Sequence, residues 1–348
     1  MPNPTIAVLD DYQRVSTTPL TPLTPHFTIH HFPETLNPAD PASHAALITR
    51  LHPYDIIIAQ RERTPLPASI LSALPNLKLI LTTGARNRAI DTAYCAQRGI
   101  PVAGTSGPRS STTAHSTVQH TWALILALAR HVVRDDAALK RPGGETWQGE
   151  TLGMNLAGKT LGLVGLGKLG AEVARVAVLA FDMRVVAWSE NLTPEKVDAV
   201  AREIGVGEGK MRCAESKEEL FKVADVVSLH YVLSERSRGV VGRVELERMK
   251  GGALLVNTSR GPLVDEMALL ETLSRGGIRG AALDVFDLEP LPADSPWRTT
   301  AWGTEGRSEV VLTPHMGYGD EQIHAWYEEV ARNLARWRDG EELTTRLN

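Results

Sequence analysis

The sequence predicts an α/β protein with two doubly wound parallel sheets, each in a domain of its own. Two series of short apolar runs alternate with segments of helical periodicity, which is typical of parallel sheets covered by helices on both faces. The chain has 348 residues, too many for one ordinary domain and a suitable number for two. A glycine-rich turn at residues 165–170 also joins a strand-like run to a helix-like run.

The first series occupies the first hundred residues. Its strand-like runs, rich in β-branched residues, are TIAVLD (5–10), DIIIAQ (55–60) and LKLILTT (77–83). Residues 19–41 are rich in proline and threonine, so this segment is expected to be mostly loop around one short strand at residues 27–32.

A long helix is predicted to leave the first domain. Residues 112–140 combine Ser and Thr caps with continuous apolar periodicity, and we interpret them as one helix that crosses between domains. A second amphipathic segment at residues 321–340 follows the last strand and is expected to cross back. The first domain would then be discontinuous, with residues 1–112 and 318–348 enclosing an inserted domain of residues 113–317.

The second series begins at Lys159, and its strands are TLGLVG, MRVVAW, DVVSLH, GALLVNT, GAALDVF and VVLTP. Six strands with helices between them is the count for a doubly wound dinucleotide-binding domain. In the G-x-G-x-x-G turn, Gly165 permits the tight turn, Gly167 lets the backbone approach a pyrophosphate, and Gly170 lets the helix pack on the strand. The helix N-terminus would face the phosphates, so the sequence predicts a dinucleotide site here.

The residues after the second strand of this series bear on which dinucleotide binds. A carboxylate at this position favours NAD, because it hydrogen-bonds the adenosine ribose, but this chain has Trp188, Ser189, Glu190 and Asn191. Ser189 could serve either cofactor. Glu190 would repel a ribose phosphate, and no arginine follows immediately to receive one. The sequence therefore favours NAD and leaves NADP open.

Three charged residues lie at the carboxyl ends of strands in the second series, namely Arg260, Glu289 and His315. Strand ends of this kind line the ligand crevice, so the three are expected to converge and to suit hydride chemistry on a 2-oxo or 2-hydroxy acid. Arg260 would bind the carboxylate and polarise the carbonyl, and His315 would exchange a proton with the carbonyl oxygen. Glu289 would orient the imidazole and keep it protonated to a higher pH. Asp284 is expected to face the nicotinamide end of the cofactor.

With these residues, the chain resembles the D-isomer-specific 2-hydroxyacid dehydrogenases over nearly its whole length. The resemblance rests on the segments LAGKTLGLVGLGKLG, NTSRGPLVDE, GAALDVFDLEPLP and LTPHMG, which occur in that order. It implies NAD(P)-dependent catalysis by Arg260, Glu289 and His315, and a Rossmann domain inserted in a discontinuous flavodoxin-like substrate domain of a homodimer. The further residues that it implies along the cofactor are Lys168, Leu169, Ser189, Tyr231, Thr258 and Asp284.

The resemblance also implies a substrate loop in the first domain. Similar enzymes hold the substrate carboxylate partly with backbone N–H groups of a glycine loop, and the matching stretch here is residues 82–91. Gly84, Ala85 and Arg86 would lie nearest the substrate. Arg61 and Arg63, which follow a strand of the same domain, could reach the cleft or be solvated and salt-bridged.

Several positions depart from the family pattern. Ser189 stands where NAD-preferring members have Asp, Asp182 stands where a glycine is usual, and Gln119 replaces a usual Glu. The segment 291–309 is longer than usual, and it could reshape the mouth of the substrate site.

Two other expectations concern side chains outside the catalytic set. His120 and Trp122 in the crossover helix are expected to pack at the domain or dimer interface. His230 could touch the cofactor or have a structural role, and the sequence leaves both open.

Composition excludes several classes of partner. The chain has 37 Lys+Arg against 41 Asp+Glu, a net charge of -4 and no long block of either sign, so neither nucleic acid nor an anionic membrane is expected to bind. The N-terminus does not resemble a signal peptide and no apolar run reaches roughly 18 residues, so a cytoplasmic protein is expected. Cys95 and Cys213 lack metal-ligand spacing and are expected to be buried thiols, with no metal site.

The preferred interpretation is an oxidoreductase that reduces a small 2-oxo acid or oxidises the D-2-hydroxy acid. Glyoxylate, hydroxypyruvate and bulkier 2-oxo acids all remain open as substrates. A long-form phosphoglycerate dehydrogenase is disfavoured because no regulatory domain follows the last helix, and formate oxidation is disfavoured because it needs no proton transfer by a Glu–His pair. The alternative of a different class is an NAD(H)-sensing corepressor-like binding protein on the same fold.

Overall fold

The computed structural model describes residues 2–106, 115–141, 147–149 and 151–348. The chain divides into two compact units, one of Met1–Ser111 with Gly319–Asn348 and the other of Thr112–Tyr318. The first unit is therefore discontinuous, and the second is inserted into it along the chain. The predicted domains, 1–112 with 318–348 and 113–317, have boundaries next to these, and the roles assigned to the two domains remain predictions.

Strands and helices alternate along both units. The elements up to the end of the first sheet are β1 (Thr5–Leu9), α1 (Thr17–Leu20), β2 (Thr28–Phe32), α2 (Pro41–Leu51), β3 (Ile56–Ala59), α3 (Ala68–Leu71), β4 (Leu79–Thr82), α4 (Thr92–Gln97) and β5 (Val102–Ala103). The elements that follow are α5 (Ser116–Ala129), α6 (Val132–Lys140), β6 (Thr160–Val164), α7 (Lys168–Phe181), β7 (Arg184–Trp188), α8 (Pro194–Glu203), β8 (Met211–Cys213), α9 (Lys217–Val223), β9 (Val226–Leu229), α10 (Arg243–Arg248), β10 (Leu254–Asn257), α11 (Glu266–Ser274), β11 (Gly280–Leu283), α12 (Pro296–Thr299), β12 (Glu309–Leu312) and α13 (Ile323–Arg338).

The sheet of the first unit has five parallel strands in the order β2-β1-β3-β4-β5, which is the flavodoxin-like order. Helices α2, α3 and α4 cover one face, and α13 packs against β4 and α1. Burial on both faces explains why the central strand β3 is apolar at every position. The two-residue strand β5 was not predicted, because two residues are too few to show a pattern.

The sheet of the second unit has seven parallel strands in the order β12-β11-β10-β9-β6-β7-β8. Helices α5 and α7 pack on one face and α9, α10 and α11 on the other, which confirms the doubly wound α/β class. The strand order reverses between β6 and β9, where such sheets bind their ligands. The prediction of six strands was wrong by one. It missed β8, a three-residue edge strand that pairs with β7 alone and has Arg212 at its centre.

The prediction of one helix over residues 112–140 was also wrong. Helix α5 ends before His131, whose φ of 56° stops the helix, and α6 begins directly after it. The buried imidazole is held on both sides: its Nδ1 lies 2.5 Å from the Glu309 carboxylate, and its Nε2 accepts from Arg279 at 2.8 Å. Contacts with residues at the starts of β11 and β12, which are distant in the chain, therefore hold the break. Residues 112–114 lie outside the described part of the chain.

Two family departures have local explanations. Asp182 ends α7 with φ of 49°, a left-handed conformation that favours glycine but that aspartate tolerates, and its carboxylate binds the Lys210 ammonium at 2.7 Å. The long segment 291–309 is anchored by Trp297, which is buried in the core. The indole N–H of Trp302 donates to the carbonyl oxygen of Trp297 at 3.0 Å and closes this segment on itself.

Each sheet is tied at the amino ends of its strands by an aspartate and a lysine. Asp55, directly before β3, accepts from the amide of Thr5 at 2.8 Å and from Lys78 at 2.7 Å. In the second unit, Asp225 directly before β9 accepts from the first amide of β6 at 2.9 Å and from Lys250 at 2.9 Å. The same Asp–Lys staple therefore joins the starts of neighbouring strands in both units.

The described residues also bear on three expectations from composition. None of their helices is long and apolar enough to cross a membrane, and they contain no group of three or more His, Cys, Asp or Glu that could hold a metal ion. Cys95 is buried, and burial raises the pKa of its thiol to about 11. Cys213 is only partly buried, so the expectation of two buried thiols was wrong for this residue.

Candidate active site

The glycine-rich turn joins β6 to α7 at the reversal of the strand order. Gly165 has φ of 100°, and a Cβ atom there would lie 2.4 Å from the carbonyl oxygen of His230. A Cβ on Gly170 would lie 2.4 Å from the carbonyl oxygen of Gly165. By contrast, a Cβ on Gly167 would meet no atom within 4 Å. The turn is thus closely packed on its inner side and open at Gly167, an arrangement that fits a pyrophosphate at the helix N-terminus.

The segment after β7 is fixed against the segment after β9. The amide of Glu190 donates to the Tyr231 hydroxyl at 3.3 Å, and the Tyr231 ring stacks on Trp188 with centroids 6.1 Å apart. Ser189 is partly buried and Glu190 is exposed. Ser189 and Tyr231, both predicted to lie along the cofactor, therefore belong to one local cluster.

The other residues predicted along the cofactor lie at the starts or ends of elements of the second unit. Lys168 and Leu169 form the first turn of α7, and Lys168 is exposed. Thr258 follows β10 and is buried, with its hydroxyl 2.8 Å from that of Thr121. Burial lowers the pKa of His230 to about 4, so this imidazole is neutral at physiological pH.

Arg260 lies in the turn that follows β10, and Asn257, the last residue of β10, holds this turn in shape. The Asn257 side chain accepts from the amide of Ser259 at 3.0 Å and donates to the carbonyl oxygen of Arg260 at 2.9 Å. The next residue, Gly261, is pressed against Phe286, because a Cβ there would lie 2.1 Å from the Phe286 carbonyl carbon. Close backbone approach therefore explains the glycine directly after the arginine.

His315 and Glu289 are in contact. The imidazole Nδ1 of His315 lies 2.6 Å from Oε2 of Glu289, and Oε1 of the same carboxylate accepts from the Phe286 amide at 2.9 Å. The two side chains keep 24% and 28% of their surface exposed, so a small molecule can reach them. Because Nδ1 is engaged with the carboxylate, Nε2 is the nitrogen suited to exchange a proton with a ligand.

Asp284 is almost completely buried and accepts four hydrogen bonds. The donors are the amides of Met316 at 2.8 Å and Gly317 at 2.9 Å, the Thr313 hydroxyl at 2.6 Å and the imidazole Nε2 of His120 at 3.1 Å. Burial opposes ionisation of this carboxyl, but the bonds from His120, Thr313 and the two amides outweigh it and lower the pKa of Asp284. Asp284 is therefore a buried carboxylate held in its charged form.

The predicted substrate loop follows β4 in the first unit. Gly84 has φ of 95°, and its amide donates to the Thr105 hydroxyl at 2.7 Å. Ala85 and Arg86 are exposed. The loop is thus held at Gly84 while its next two residues face solvent.

Arg61 lies next to this loop within the first unit. A Cβ on Gly84 would lie 3.2 Å from Nη1 of Arg61, and the guanidinium lies 5.6 Å from the centroid of the Trp326 ring. Its Nε also lies 3.8 Å from the Glu62 carboxylate. Arg61 therefore forms the salt bridge that the sequence left as one alternative, and it lies beside the predicted substrate loop; whether it reaches the cleft stays a prediction.

Sequence reasoning missed two polar residues of this region, His120 and Thr313. His120 was expected with Trp122 at a domain or dimer interface, but both side chains pack inside the second unit, where Trp122 stacks on Phe181 at 4.7 Å between centroids. The available signal was a histidine between Gln119 and Thr121 in the first half of α5 and a threonine two residues before His315.

Known proteins are similar to this chain in sequence and in fold. The model of the D-isomer specific 2-hydroxyacid dehydrogenase, NAD binding domain, matches residues 122–317. A glyoxylate reductase from Korarchaeum cryptofilum is 34% identical over 304 residues, which are 86% of this chain and 85% of that protein. A hydroxypyruvate reductase from Thermotoga maritima is 36% identical over 267 residues, which are 75% of this chain and 77% of that protein.

A solved structure agrees over almost the full length. The phosphoglycerate oxidoreductase from Vibrio cholerae o395 has a TM-score of 0.81 and 32% sequence identity, and the match covers 97% of this chain and 99% of that one. The family match includes the glycine-rich turn, the Arg260 turn and the His315–Glu289 pair. The chain therefore belongs to the D-isomer specific 2-hydroxyacid dehydrogenases, a family of oxidoreductases with an NAD-binding domain.

Proposed function

We propose that this protein reduces a small 2-oxo acid, or oxidises the corresponding D-2-hydroxy acid, with NAD as cofactor. The observation that carries the proposal is the 2.6 Å contact between His315 and Glu289, whose carboxylate also binds the backbone segment packed against the Arg260 turn. The relatives named glyoxylate reductase and hydroxypyruvate reductase support glyoxylate and hydroxypyruvate as the first substrates to test.

The second unit fits the cofactor at its glycine-rich turn, because Gly167 leaves open space in front of α7. Bound NADH would supply the hydride. Glu190 follows Ser189 and would repel the extra phosphate of NADP, which supports NAD as the preferred form. The residues that would hold the cofactor are Gly165, Gly167, Lys168, Leu169, Gly170, Ser189, Tyr231, Thr258 and Asp284.

Each member of the catalytic set has a role that follows from its chemistry. Arg260 would bind the substrate carboxylate and polarise the adjacent carbonyl, because its guanidinium offers a planar fork of donors. His315 would give a proton from Nε2 to the carbonyl oxygen, and would take it back in the oxidative direction. Glu289 would hold the imidazole through Nδ1 and stabilise its charged form before the transfer.

The loop of the first unit would contribute backbone donors to the substrate carboxylate. Ala85 and Arg86 are exposed, and the left-handed Gly84 sets the direction of their amides. The Arg61 guanidinium beside Gly84 would add positive charge to the same loop. The family resemblance and the position of Arg61 beside Gly84 support this role of the loop in binding the substrate carboxylate.

Turnover by the purified protein tests the proposal. NADH and NADPH oxidation would be followed in parallel with glyoxylate, hydroxypyruvate, pyruvate, phenylpyruvate and branched 2-oxo acids, and His315→Ala would serve as the inactive control. We expect turnover of at least one acid, with higher kcat/KM for NADH. If none of these acids is turned over while the cofactor still binds tightly, the enzyme proposal would be overturned. That result would favour the NAD(H)-sensing corepressor-like binding protein.

We also propose that the chain forms a homodimer through α6, in keeping with the family resemblance. None of the residues of this nine-residue helix is buried, and Val132, Val133 and Leu139 expose 55%, 49% and 60% of their surface. Val132→Asp should therefore convert the dimer to a monomer, as measured by light scattering coupled to size exclusion. Val244→Asp is the matched control, because Val244 on α10 is also 55% exposed. A monomeric wild type would contradict the proposal.

We further propose a cytoplasmic protein whose ligands are small acids rather than nucleic acids or membranes. The net charge of -4 without charge blocks supports this assignment. Fractionation of cells that express the natural gene tests the location, and a membrane-bound fraction would contradict it.

A further inference from the structure

The carboxylate of Asp284 holds the chain on both sides of His315. Before His315, the Thr313 hydroxyl donates to Oδ1 at 2.6 Å, and after it, the amides of Met316 and Gly317 donate to Oδ1 at 2.8 Å and Oδ2 at 2.9 Å. A Cβ on Gly317 would lie only 3.0 Å from Oδ2, so glycine permits this approach. His315 itself has φ of 55°, a conformation that a residue with a side chain keeps only when its surroundings impose it.

His120 completes this network from α5. Its Nε2 lies 3.1 Å from Oδ1 of Asp284 and 3.0 Å from the Thr313 hydroxyl oxygen. Thr313 gives its one hydroxyl hydrogen to the carboxylate, so its oxygen can only accept from His120, and an ionised carboxylate also only accepts. The network therefore assigns the hydrogen of the imidazole to Nε2, which donates to both oxygens.

We propose that His120 is a positioning residue for the proton transfer: through Asp284 and Thr313 it fixes residues 313–317, and so keeps His315 against Glu289. The inference rests on the proposed function, in which His315 is the proton donor. A displacement of about 1 Å in a reacting group is enough to slow an enzyme about a hundredfold. Asp284 would then act on His315 in addition to any contact with the cofactor.

Three variants on α5 test the role. His120→Leu removes the donor, His120→Gln places an amide N–H where Nε2 stands, and Gln119→Leu changes the exposed neighbour on the same helix. For each we would measure kcat, the dissociation constant of NADH, and the low-field proton resonance of His315 Nδ1, assigned with His315→Gln. The last measurement does not depend on turnover.

We expect His120→Leu to lower kcat between about tenfold and a hundredfold, to leave the NADH dissociation constant within twofold, and to lose the low-field resonance. His120→Gln should restore both kcat and the resonance, and Gln119→Leu should resemble the wild type. If His120→Leu fails to fold, Thr313→Val removes another donor to the same carboxylate and should give the same losses.

Two results would overturn the inference. One is a His120→Leu protein with unaltered kcat and an unaltered His315 resonance. The other is a loss of kcat that His120→Gln does not restore, because that pattern means a general structural role. If the wild type turns over no 2-oxo acid while the resonance still depends on the His120 donor, the proposed function fails but the control of His315 by His120 stands.

Discussion

At the scale of single residues, the proposed catalytic residues are held by backbone contacts that join separate segments of the chain. The carboxylate of Glu289 binds both the His315 imidazole and the Phe286 amide, and so ties the ring to the segment after β11. The Arg260 turn packs against the same segment through Gly261. A carboxylate with two such partners cannot rotate without losing one of them, so the imidazole has a single favoured orientation.

Replacing Glu289 by Gln tests this arrangement. Glutamine has only one acceptor oxygen, so it cannot bind both the imidazole N–H and the Phe286 amide, and it carries no charge to stabilise the imidazolium. We expect kcat to fall about a hundredfold in steady-state kinetics with the 2-oxo acid. The exposed Glu203→Gln is the control. An unaltered kcat would contradict the proposed role of Glu289.

Arg260→Lys separates the charge of the guanidinium from its shape. Lysine keeps the positive charge but loses the planar pair of donors, so KM for the 2-oxo acid should rise and kcat should fall, with a combined loss of about tenfold to a thousandfold in kcat/KM. Steady-state kinetics with Arg202→Lys on α8 as control measure the effect. An unaltered KM would count against a contact between Arg260 and the substrate carboxylate.

At the scale of elements, the inner and outer sides of the turn between β6 and α7 differ in whether they have room for a Cβ atom. A Cβ on Gly170 would lie 2.4 Å from the carbonyl oxygen of Gly165, whereas a Cβ on Gly167 would meet no atom within 4 Å. Both residues belong to the same motif, but only one of them is required by packing within the protein.

The two alanine variants at these positions should therefore separate folding from binding. Gly170→Ala should destabilise the protein by about 1–3 kcal/mol, because its methyl group overlaps backbone that cannot move freely. Gly167→Ala should leave the midpoint of thermal unfolding nearly unchanged and weaken NADH binding about tenfold or more. Thermal melting and NADH titration of both variants measure this, and tight NADH binding by Gly167→Ala would place the pyrophosphate elsewhere.

The sequence predicted those elements whose own residues show the pattern. Strands buried on both faces, such as β3 and β10, have continuous apolar runs and were found, whereas β5 and β8 are too short to show any period. The break between α5 and α6 depends on Glu309, which is 178 residues away from His131 in the chain. Arg260, Glu289 and His315 could be proposed from their strand ends. The role of His120 could not be proposed from the sequence, because it depends on a contact with Asp284, which lies 164 residues further along the chain.

At the scale of the whole molecule, the Asp–Lys staples of Asp55 and Asp225 make both units sensitive to acid. Burial opposes ionisation of each carboxyl, but the strand amide and the lysine outweigh it, so the pKa of each lies below its usual value. A lowered pKa in the folded state means that each carboxylate stabilises the fold fully above the unfolded value of about 3.9. That contribution is lost as the pH falls through the lower, folded pKa.

Thermal unfolding from pH 7 to pH 3 tests the staple of the second unit. Asp225→Asn should unfold at a lower temperature than the wild type at pH 7, and the difference should begin to shrink below about pH 4, where the carboxyl of the unfolded wild type takes up a proton that the folded carboxylate still resists. Asp198→Asn, at an exposed position on α8, should follow the wild type throughout. A difference that stays constant with pH would show that the charge of Asp225 is not what stabilises the fold.

The two staples also have a consequence for how this protein can change over evolution. They lie at the amino ends of the strands, and the proposed ligand-binding residues of both units follow the carboxyl ends. Because the two sets of residues share no side chain, substitutions that alter substrate choice need not loosen the anchors of the sheets. Substrate specificity can therefore change through residues at the carboxyl ends of the strands, while the contacts at the amino ends keep the sheets intact.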